Sequence, residues 1–559
     1  NRADVKNIMR EIHRESGGNS YKEELLNAKQ LCQFMNTYQK SSTDEDWTEE
    51  KALELIRSTT EDRQASTLSC LQFAMLLDDR ANDVYDPVSL QPGRGDSLRM
   101  YMSNSLADYW INSSHNTYLT GDQLKGHSAS EQYTFVLQRG CRCIELDCWD
   151  GSKDVPKGNP GTEPIITHGH TLCTKIFFKD VIRAIKNSAF GPPANNPYPV
   201  ILSIEMHCSA KFQDRMYEIC NEEFGDMMLL LKDEDMQMAT LPSPEELKHK
   251  ILIKGKRAKK LVATAADVQD SDSEDEDEDA VDDELIEKAK KAKAKHEKQI
   301  KKSESMQKTK VEDVKSKSVS RWGNLVYLCA VHFKGFNFPG KPYEMSSFAE
   351  GKLKKLADSS RDAFIEYNMK QLARVYPFGG RVDSSNLDPS IAWASGCQLV
   401  ALNFQTGDNA MWLNFGKFRE NGNVGYVLKP PFMRGTGPKL LPIRLTVCVL
   451  SCQRLPNNEA SSDILDPYVQ VELSGAPGDT QVKRTVTIQD NGFNPVFGGG
   501  RGEAFEFEIQ EREVAMLKIL VMDEDISTFT VVGQCCIPVT CIRPGYRHVT
   551  LYDTHNGTL

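Results

Sequence analysis

Acidic residues with the spacing of a β-strand occur twice near the middle of the chain. In CIELDCW, the alternation of side chains along a strand would place Glu145 and Asp147 on one face. In VILSIEM the same alternation places Ile201, Ser203 and Glu205 on one face. Glu205 lies near the carboxyl end of this strand, where barrel enzymes build their active sites. The spacing therefore predicts that three carboxylates converge at one end of a sheet.

Converging carboxylates repel one another unless a cation lies between them. Asn116, in SSHNTYL, supplies a carbonyl oxygen, and carboxylates with an amide carbonyl form the hard oxygen set that suits Ca²⁺. Magnesium accepts the same ligand types, and the three acids are also typical of barrel-mouth residues paired with Lys or Arg. We expect a cation site here, with the ion undecided and ordinary ion pairs as the alternative.

Two histidines accompany strand-like runs in separate parts of the chain. His115 directly precedes Asn116, and His168 ends the run in ITHGHT. Histidines from separate strand ends are typical of acid/base or electrostatic catalysis of phosphoryl transfer. A single His-Asn pair is also typical of a polar strand end or a helix N-cap, so the functional interpretation depends on the whole set.

Basic residues near other strand-like runs could bind phosphate. Lys254 and Lys256 share a strand face in ILIKGK, and Arg374 lies two residues before Tyr376 in ARVYP. Taken singly, each cation is typical of a solvated surface. With the acids and histidines they complete a set suited to phosphoryl chemistry.

Strand-like runs alternate with helical runs from about residue 94 to 256 and again from 321 to 436, which predicts a parallel sheet. Neither half has enough strands to close a barrel, so we expect one barrel built from both. Residues 257–320 combine an acidic run with a lysine-rich run and predict a disordered charged linker. Its acidic run, Asp270 to Glu287, could cover the barrel mouth until a negatively charged surface repels it, or could be an inert tether.

The two flanks differ from the barrel and from each other. Residues 1–90 show helical periodicity, and their loops lack the alternating Asp/Asn positions and closing Glu of a calcium-binding EF-hand loop. Residues 441–559 carry alternating strands and predict an all-β sandwich. The first residue lies inside a helical pattern, so we expect the chain to be part of a longer protein.

Composition excludes several classes of protein. The 559 residues are 39% hydrophobic, enough for several domains, and the net charge of −11 argues against a generally basic, nucleic-acid-binding chain. No apolar run reaches the roughly 18 to 20 residues that span a bilayer, and no signal peptide is evident. The 15 cysteines show neither a disulfide framework nor zinc-site spacing, which favours a reduced intracellular setting.

An ordered set of motifs resembles eukaryotic phosphoinositide-specific phospholipase C: SSHNTYL, GCRCIELDCWDG, ITHG, VILSIE, LPSPEELKHKILIKGK, YEMSSF, ARVYP, ALNFQT and GYVLKP. With the flanks, the resemblance covers essentially the whole chain. It implies a multidomain fold, with EF-hand-like helices (1–90), a distorted α/β TIM barrel in X (94–256) and Y (321–436) halves, and a C2 domain (441–559). The short C-terminal tail and C2 loops are most similar to the delta type, while INSSHNTYLT and ITHG are also similar to the beta type.

The resemblance implies calcium-dependent hydrolysis of phosphatidylinositol 4,5-bisphosphate through a cyclic phosphodiester. A general base, Glu145 or Glu205, would deprotonate the inositol 2-hydroxyl. His115 would stabilise charge on the phosphorus, and His168 would protonate the leaving diacylglycerol oxygen. The implied calcium ligands are Asn116, Glu145, Asp147 and Glu205, and the implied headgroup ligands are Lys254, Lys256, Ser347, Arg374 and Tyr376.

The family also implies contacts with a membrane. Leu124 and Leu172 match positions of its apolar ridge, Gly380 stands where a bulky aromatic is usual, and Phe378 is expected to compensate. The alternative for both leucines is an ordinary place in the core. In the C2 domain the motifs imply a calcium cup, and because Thr530 replaces a further acid we expect weak or partial binding there. The cup residues are Asp466, Asp490, Asp523 and Asp525.

The implied partner is a phosphoinositide membrane, and the implied location is cytoplasmic, peripheral at the inner face of the plasma membrane, as a monomer. A catalytically silent, lipid-binding scaffold is the main alternative. Inactive relatives would be expected to lose a catalytic histidine or a metal ligand, and this chain keeps all of them. A general glycerophosphodiesterase barrel gives no reason for the C2 domain.

Overall fold

The structure, a computed structural model, describes residues 2–17, 25–40, 45–85, 101–152, 161–257, 320–456, 464–524, 529–555 and 557. Two compact units are present: one comprises residues 1–90, 415–417 and 440–559, the other residues 91–414 and 418–439. The acidic run of the predicted linker lies outside the described residues. Within the described ranges, no helix combines the length and the apolar character that crossing a bilayer requires. All 15 cysteines lie within the described residues, and none of them forms a disulfide.

The amino-terminal part of the first unit consists of two helix–loop–helix pairs. Its elements are α1 (Ala3–Glu15), β1 (Leu25–Asn27), α2 (Ala28–Phe34), a π-helical turn (Met35–Gln39), α3 (Glu49–Thr60), β2 (Thr67–Ser69) and α4 (Cys70–Asp78). β1 and β2 pair antiparallel and join the two loops, as the EF-hand-like prediction expects.

The loop ends show why calcium binding is not expected in this helical part. Asn27 with Gln30, and Ser69 with Gln72, form capping boxes that start α2 and α4. A calcium-binding EF-hand loop closes with a bidentate glutamate. Here both glutamines use their side chains to cap a helix, so the loop chemistry supports the prediction of EF-hand-like helices without calcium.

The second unit contains the barrel. Its elements are β3 (Tyr109–Ile111), β4 (Ser113–Ser114), α5 (Glu131–Gln138), β5 (Cys143–Trp149), β6 (Ile165–Ile166), β7 (Ile176–Phe177), α6 (Phe178–Ser188), β8 (Val200–His207), α7 (Ala210–Phe224), β9 (Ile251–Gly255), β10 (Val326–Ala330), β11 (Glu344–Ala349), α8 (Glu350–Asn368), β12 (Leu372–Tyr376), α9 (Ser390–Ala394), β13 (Leu399–Leu402), α10 (Asn409–Arg419) and β14 (Tyr426–Leu428). Parallel pairing runs β4-β5-β8-β9-β10-β11-β12-β13 and returns to β4. The prediction of one closed barrel built from both halves is confirmed.

The barrel core explains where its site must lie. Apolar side chains from the amino-terminal halves of the strands, among them Ile201, Leu252, Leu372 and Leu399, belong to one buried cluster. On three of these strands the same face carries a polar side chain two residues further along, namely Ser203, Lys254 and Arg374. Because parallel strands end at the same rim, this change of character brings polar residues from both halves to one end of the barrel.

The carboxyl-terminal part of the first unit is an antiparallel sandwich, which confirms the predicted C2-type fold class. Its strands are β15 (Ile443–Val449), β16 (Pro467–Ser474), β17 (Gln481–Arg484), β18 (Glu503–Ile509), β19 (Met516–Glu524) and β20 (Phe529–Pro538). β15 pairs with β18, and the other sheet has the order β17-β16-β19-β20. Val471, Phe507 and Leu517 are buried between the strands.

The helical part and the sandwich pack together inside the first unit. The rings of Phe34 and Tyr546 stack with centroids 5.7 Å apart. Gln39 donates from Nε2 to the Tyr546 carbonyl (2.9 Å) and accepts from the Tyr546 N–H at Oε1 (2.7 Å). Ser451 also donates to the Asp4 carboxylate. The beginning and the end of the chain therefore share one interface.

Candidate active site

Three carboxylates meet at the carboxyl ends of neighbouring strands. β5 and β8 pair in a register that sets Asp147 directly opposite Glu205, with Glu145 one inward-facing position earlier on β5. One oxygen from each of the three carboxylates lies within 4.8 Å of the other two. The structure thus brings together the three acids that the sequence predicted to converge at one end of the sheet.

The cluster has the properties of a cation site. Asp147 is 3% exposed; its Oδ2 accepts a hydrogen bond from the Tyr118 hydroxyl, while its buried Oδ1 has no hydrogen-bond partner. Burial, then the charges of Glu205 and Glu145, raises the pKa of Asp147 well above its usual range. A hard cation would take up the unpaired oxygen and remove the repulsion, and the all-oxygen donor set fits Ca²⁺.

Glu145 also carries a buried ion pair. Nη2 of Arg374 lies 2.6 Å from its Oε2, and the two side chains are 3% and 7% exposed. The Arg374 guanidinium lies 5.6 Å from the centroid of the Tyr376 ring. The ion-pair alternative left open by the sequence therefore holds for one acid, and it coexists with the carboxylate cluster.

Glu205 is held from the solvent side by His207. Nε2 of His207 lies 2.7 Å from Glu205 Oε1, and its imidazole stacks on the Trp149 indole with centroids 4.0 Å apart. Burial raises the pKa of Glu205, but the hydrogen bond and charge of His207, with Lys254 and Arg374, outweigh it and leave the pKa below its usual value. Sequence reasoning missed His207, although strand alternation places it on the face of Glu205.

His115 and Asn116 lie in a sharp turn after β4, where Asn116 has a φ of +38°. The Asn116 N–H donates to Glu145 Oε2 (2.8 Å), and its Nδ2 donates to Gln123 Oε1 (2.8 Å). Nδ1 of His115 is 2.9 Å from Asn403 Oδ1, so this nitrogen carries the proton and Nε2 is the other end of the ring. Burial lowers the pKa of His115, which the nearby Glu145 partly opposes.

His168 lies in the loop after β6. Its Nδ1 donates to the main-chain carbonyl of Gln123 at 2.6 Å, which again leaves Nε2 as the other ring nitrogen. The next residue, Gly169, packs against Trp149 so closely that a Cβ would stand 1.9 Å from a ring atom. A glycine is required there, and the indole holds the histidine loop.

The sequence-predicted headgroup residues lie on the same barrel. Lys254 is buried on β9, and Lys256 is exposed just beyond that strand. In the register of β11 and β12, Ser347 is opposite Arg374, and Tyr376 ends β12. These residues come from both halves of the chain.

The ridge residues are not equivalent. Leu172 is 45% exposed, and its N–H donates to the carbonyl of the half-buried Leu124 (2.8 Å), so these two are neighbours. Phe378 is 4% exposed. The expectation that Phe378 compensates for Gly380 at a membrane is wrong, because its ring is enclosed in the barrel unit.

In the sandwich, the predicted aspartates connect loops. The Asp466 N–H donates to Asp523 Oδ1 (2.7 Å), and the Asp490 N–H donates to Asp466 Oδ1 (2.7 Å). Among the residues that the structure describes, only the barrel cluster gathers three potential ligands within 4.8 Å. Asp525 lies outside the described residues, so the C2 calcium cup stays a prediction.

Three ranges of the chain match known families. Residues 102–257 match the phosphatidylinositol-specific phospholipase C X domain, and residues 322–432 match the Y domain of the same enzymes. Residues 443–554 match the C2 domain.

Similar proteins cover most of the chain. A Danio rerio protein named 1-phosphatidylinositol 4,5-bisphosphate phosphodiesterase delta-3-A is 39% identical over 505 residues, which are 87% of this chain and 59% of that protein. The delta-4 protein of Xenopus laevis is 37% identical over 94% of this chain and 68% of its own length. The crystal structure of PLC21 from L. pealei superimposes with a TM-score of 0.77 and 34% identity, covering 100% of this chain and 67% of that one. The chain spans less than two thirds of the first of these relatives.

Proposed function

The chain belongs to the phosphoinositide-specific phospholipase C family, and from that membership we propose that it hydrolyses phosphatidylinositol 4,5-bisphosphate to diacylglycerol and inositol 1,4,5-trisphosphate. The observation that carries the proposal is the joint placement of the three-carboxylate cluster and two histidines. Each histidine uses Nδ1 in a hydrogen bond to an oxygen, so each keeps Nε2 for substrate. A cation site can offset the charge on a phosphodiester and activate the attacking hydroxyl, and two histidines can stabilise charge and protonate the leaving group.

The reaction is proposed to depend on Ca²⁺, held by Asn116, Glu145, Asp147 and Glu205. When bound, Ca²⁺ acidifies a coordinated hydroxyl and offsets negative charge on the phosphate. The unpaired Asp147 Oδ1 and the mutual repulsion of the carboxylates support this assignment.

Glu205 is the better placed of the two candidate bases for the inositol 2-hydroxyl. His207 uses only its Oε1, and the side chain is half exposed. Glu145 Oε2 instead accepts from the Asn116 N–H and pairs with Arg374. We therefore assign deprotonation to Glu205, with attack of the alkoxide on phosphorus giving a cyclic phosphodiester.

The histidines handle charge and the leaving group. In the first step His168 carries a proton on both ring nitrogens and donates the Nε2 proton to the departing diacylglycerol oxygen, which leaves the neutral Nδ1–H ring. In the second step its Nε2 removes a proton from the water that opens the cyclic product, and Glu205 returns its proton to the inositol 2-oxygen. His115 presents Nε2 to the phosphate. Burial lowers its pKa, but the negative charge that develops on the phosphoryl oxygens favours a proton on Nε2, and that proton stabilises the charge. The side-chain carbonyl of Asn403 supports this role. It accepts a hydrogen bond from His115 Nδ1, and this bond is kept when Nε2 of His115 is also protonated.

The rim residues are proposed to bind the headgroup of the lipid substrate, and the sandwich to associate with the membrane. Cationic and hydroxyl side chains suit the headgroup phosphates, and Tyr376 suits the face of the inositol ring. A C2 domain and the exposed Leu172 favour peripheral association, proposed at the inner face of the plasma membrane. The proposed headgroup ligands are Lys254, Lys256, Ser347, Arg374 and Tyr376.

Release of inositol phosphates from mixed micelles containing phosphatidylinositol 4,5-bisphosphate, across a titration of free calcium, tests the proposal. We expect calcium-dependent release by the wild type and a loss of about 10²-fold or more in His168→Ala. The exposed His127, replaced by Ala, is the matched control and should keep wild-type release. Absence of release at every calcium level, with vesicle binding intact, would favour a silent lipid-binding scaffold.

A further inference from the structure

One buried amide, that of Gln123, connects the residues of the site. The side chain is 6% exposed and lies between the loop after β4 and two segments of the Y half. Its Oε1 accepts from Asn116 Nδ2 (2.8 Å), and its Nε2 donates to Ser384 Oγ (2.9 Å) and Asn403 Oδ1 (3.2 Å). No sequence motif predicts a role for Gln123.

The direction of each hydrogen bond in this chain of contacts is fixed. The Ser384 hydroxyl donates to the Gly121 carbonyl (2.8 Å), so its oxygen must accept from Gln123 Nε2. With Nε2 assigned as the donor end, Oε1 is the acceptor end and must face the amino group of Asn116. The Asn116 carbonyl oxygen is consequently the end of that amide left for a cation.

The same assignment determines which nitrogen of His115 carries a proton. Asn403 Oδ1 accepts from Gln123 Nε2, and therefore it is an oxygen, not an amino group, that meets His115 Nδ1 at 2.9 Å. His115 must then be protonated at Nδ1. His168 is different, because its Nδ1 donates to the main-chain carbonyl of Gln123, which no side-chain substitution removes.

We propose that Gln123 is a positioning residue that orients the Asn116 amide toward the cation site and fixes the Nδ1–H form of His115. The proposal rests on the proposed function only for its effect on turnover. The orientation of both groups exists in the resting chain and can be measured there. Partners around a metal site commonly change metal affinity by about 10 to 100-fold when they are removed.

Two substitutions separate the two roles. Gln123→Met removes both the acceptor for Asn116 and the donors for Asn403. Gln123→Glu keeps an acceptor for Asn116 but offers a carboxylate to Asn403, which should turn its amide and present Nδ2 to His115. Gln405→Met is the matched control, because Gln405 donates to the Gly121 carbonyl (3.3 Å) in the same loop without contacting either group.

Calcium affinity at the barrel, measured by calorimetry in an Asp523→Asn background that weakens any C2 site, should fall about tenfold or more in Gln123→Met. It should be no weaker than the parent in Gln123→Glu. Nitrogen NMR of histidine-labelled, calcium-free protein, at a pH well above the usual imidazole pKa, should show His115 moving to the Nε2–H form in Gln123→Glu while His168 stays Nδ1–H. Release of inositol phosphates should fall about tenfold or more in both variants.

Equal losses of calcium affinity in the two variants would indicate general loosening of the loop and overturn the proposal. An unchanged His115 tautomer in Gln123→Glu would do the same. If none of the proteins releases inositol phosphates but the affinities and tautomers change as expected, the positioning role stands and the proposed function fails. Changes in activity without changes in affinity or tautomer would refute the positioning role alone.

Discussion

Asp147→Asn should make the barrel unit more stable in a calcium chelator and less stable than the wild type in excess calcium. The wild-type carboxylate is buried beside Glu145 and Glu205, and one of its oxygens has no hydrogen-bond partner. An asparagine keeps an oxygen for the Tyr118 hydroxyl and turns an amino group toward the two remaining acids. The substitution therefore replaces a repulsive contact with an attractive one.

The stabilisation expected for Asp147→Asn in chelator follows from the raised pKa of Asp147, which is caused by burial and then by the charges of Glu205 and Glu145. When the pKa of a carboxyl group is higher in the folded than in the unfolded state, the free energy of unfolding of the protein falls as the pH rises from the unfolded pKa to the folded pKa. At neutral pH the calcium-free wild type carries that cost, and the amide never does. An unsatisfied buried polar group costs about 1–3 kcal/mol, which corresponds to about 2–6 °C in Tm for a unit of this size.

Calcium reverses the order of stability of the wild type and Asp147→Asn. A ligand at 100 times its Kd adds about 2.7 kcal/mol to the stability of the state that binds it. The wild type should gain about 5 °C from this term, while Asp147→Asn, having lost one ligand, should gain far less. Asp523→Asn, which alters the sandwich, should retain the calcium gain of the barrel.

Tryptophan fluorescence during thermal unfolding suits the measurement, because five of the six tryptophans lie in the barrel unit. Each protein is heated in chelator and in excess calcium, and the two midpoints are compared. Equal calcium shifts in wild type and Asp147→Asn would show that the three acids do not bind calcium. Destabilisation of Asp147→Asn in chelator would show that the cluster is not under electrostatic strain.

Two further predictions concern stability. Burial lowers the pKa of Lys429 to about 7, against its usual 10.5, an effect that Asp108 partly opposes. Between these two pKa values the unfolded chain binds one more proton than the folded chain. The free energy of unfolding should therefore rise with pH in this range, by up to about 1.4 kcal/mol per pH unit relative to Lys429→Met. Parallel pH profiles of the two proteins in denaturant unfolding would contradict this prediction. Tyr546→Ala should destabilise the first unit by about 2 kcal/mol, because it removes the ring packed on Phe34, whereas Tyr546→Phe should stay within about 0.5 kcal/mol of the wild type. Hydrogen exchange at amides of the first unit during urea unfolding would measure the stability of both Tyr546 variants. Equal losses in the two would show that the stacked ring is not what matters.

Strand alternation was enough to predict the carboxylate cluster. A period of two puts Glu145 and Asp147 on one face, the strand end brings Glu205 to the same rim, and the register sets Asp147 opposite Glu205. The closed barrel was predictable because neither half contained enough strands. These predictions rest on local sequence, because the pleat of a strand fixes the face on which each side chain lies.

Contacts between distant segments were not predictable. Gln123 meets Asn403 across 280 positions of sequence. Asn403 lies in the ALNFQT motif, but no local pattern pairs it with Gln123. Burial of Phe378 likewise depends on how its loop folds back onto the barrel, which composition does not encode. A rule such as alternation works along one strand, whereas these contacts depend on tertiary packing.

The shared interface between the beginning and the end of the chain has a consequence for biosynthesis. The Asn82 side chain donates to the carbonyl of Tyr546, 464 positions later. At a translation rate of about 5–20 residues per second, roughly 20–90 s separate the synthesis of these two residues. Throughout that interval the nascent helical part exposes the apolar surface around Phe34 that Tyr546 will cover. The helical part can therefore complete its packing around Phe34 only after residue 546 has been made.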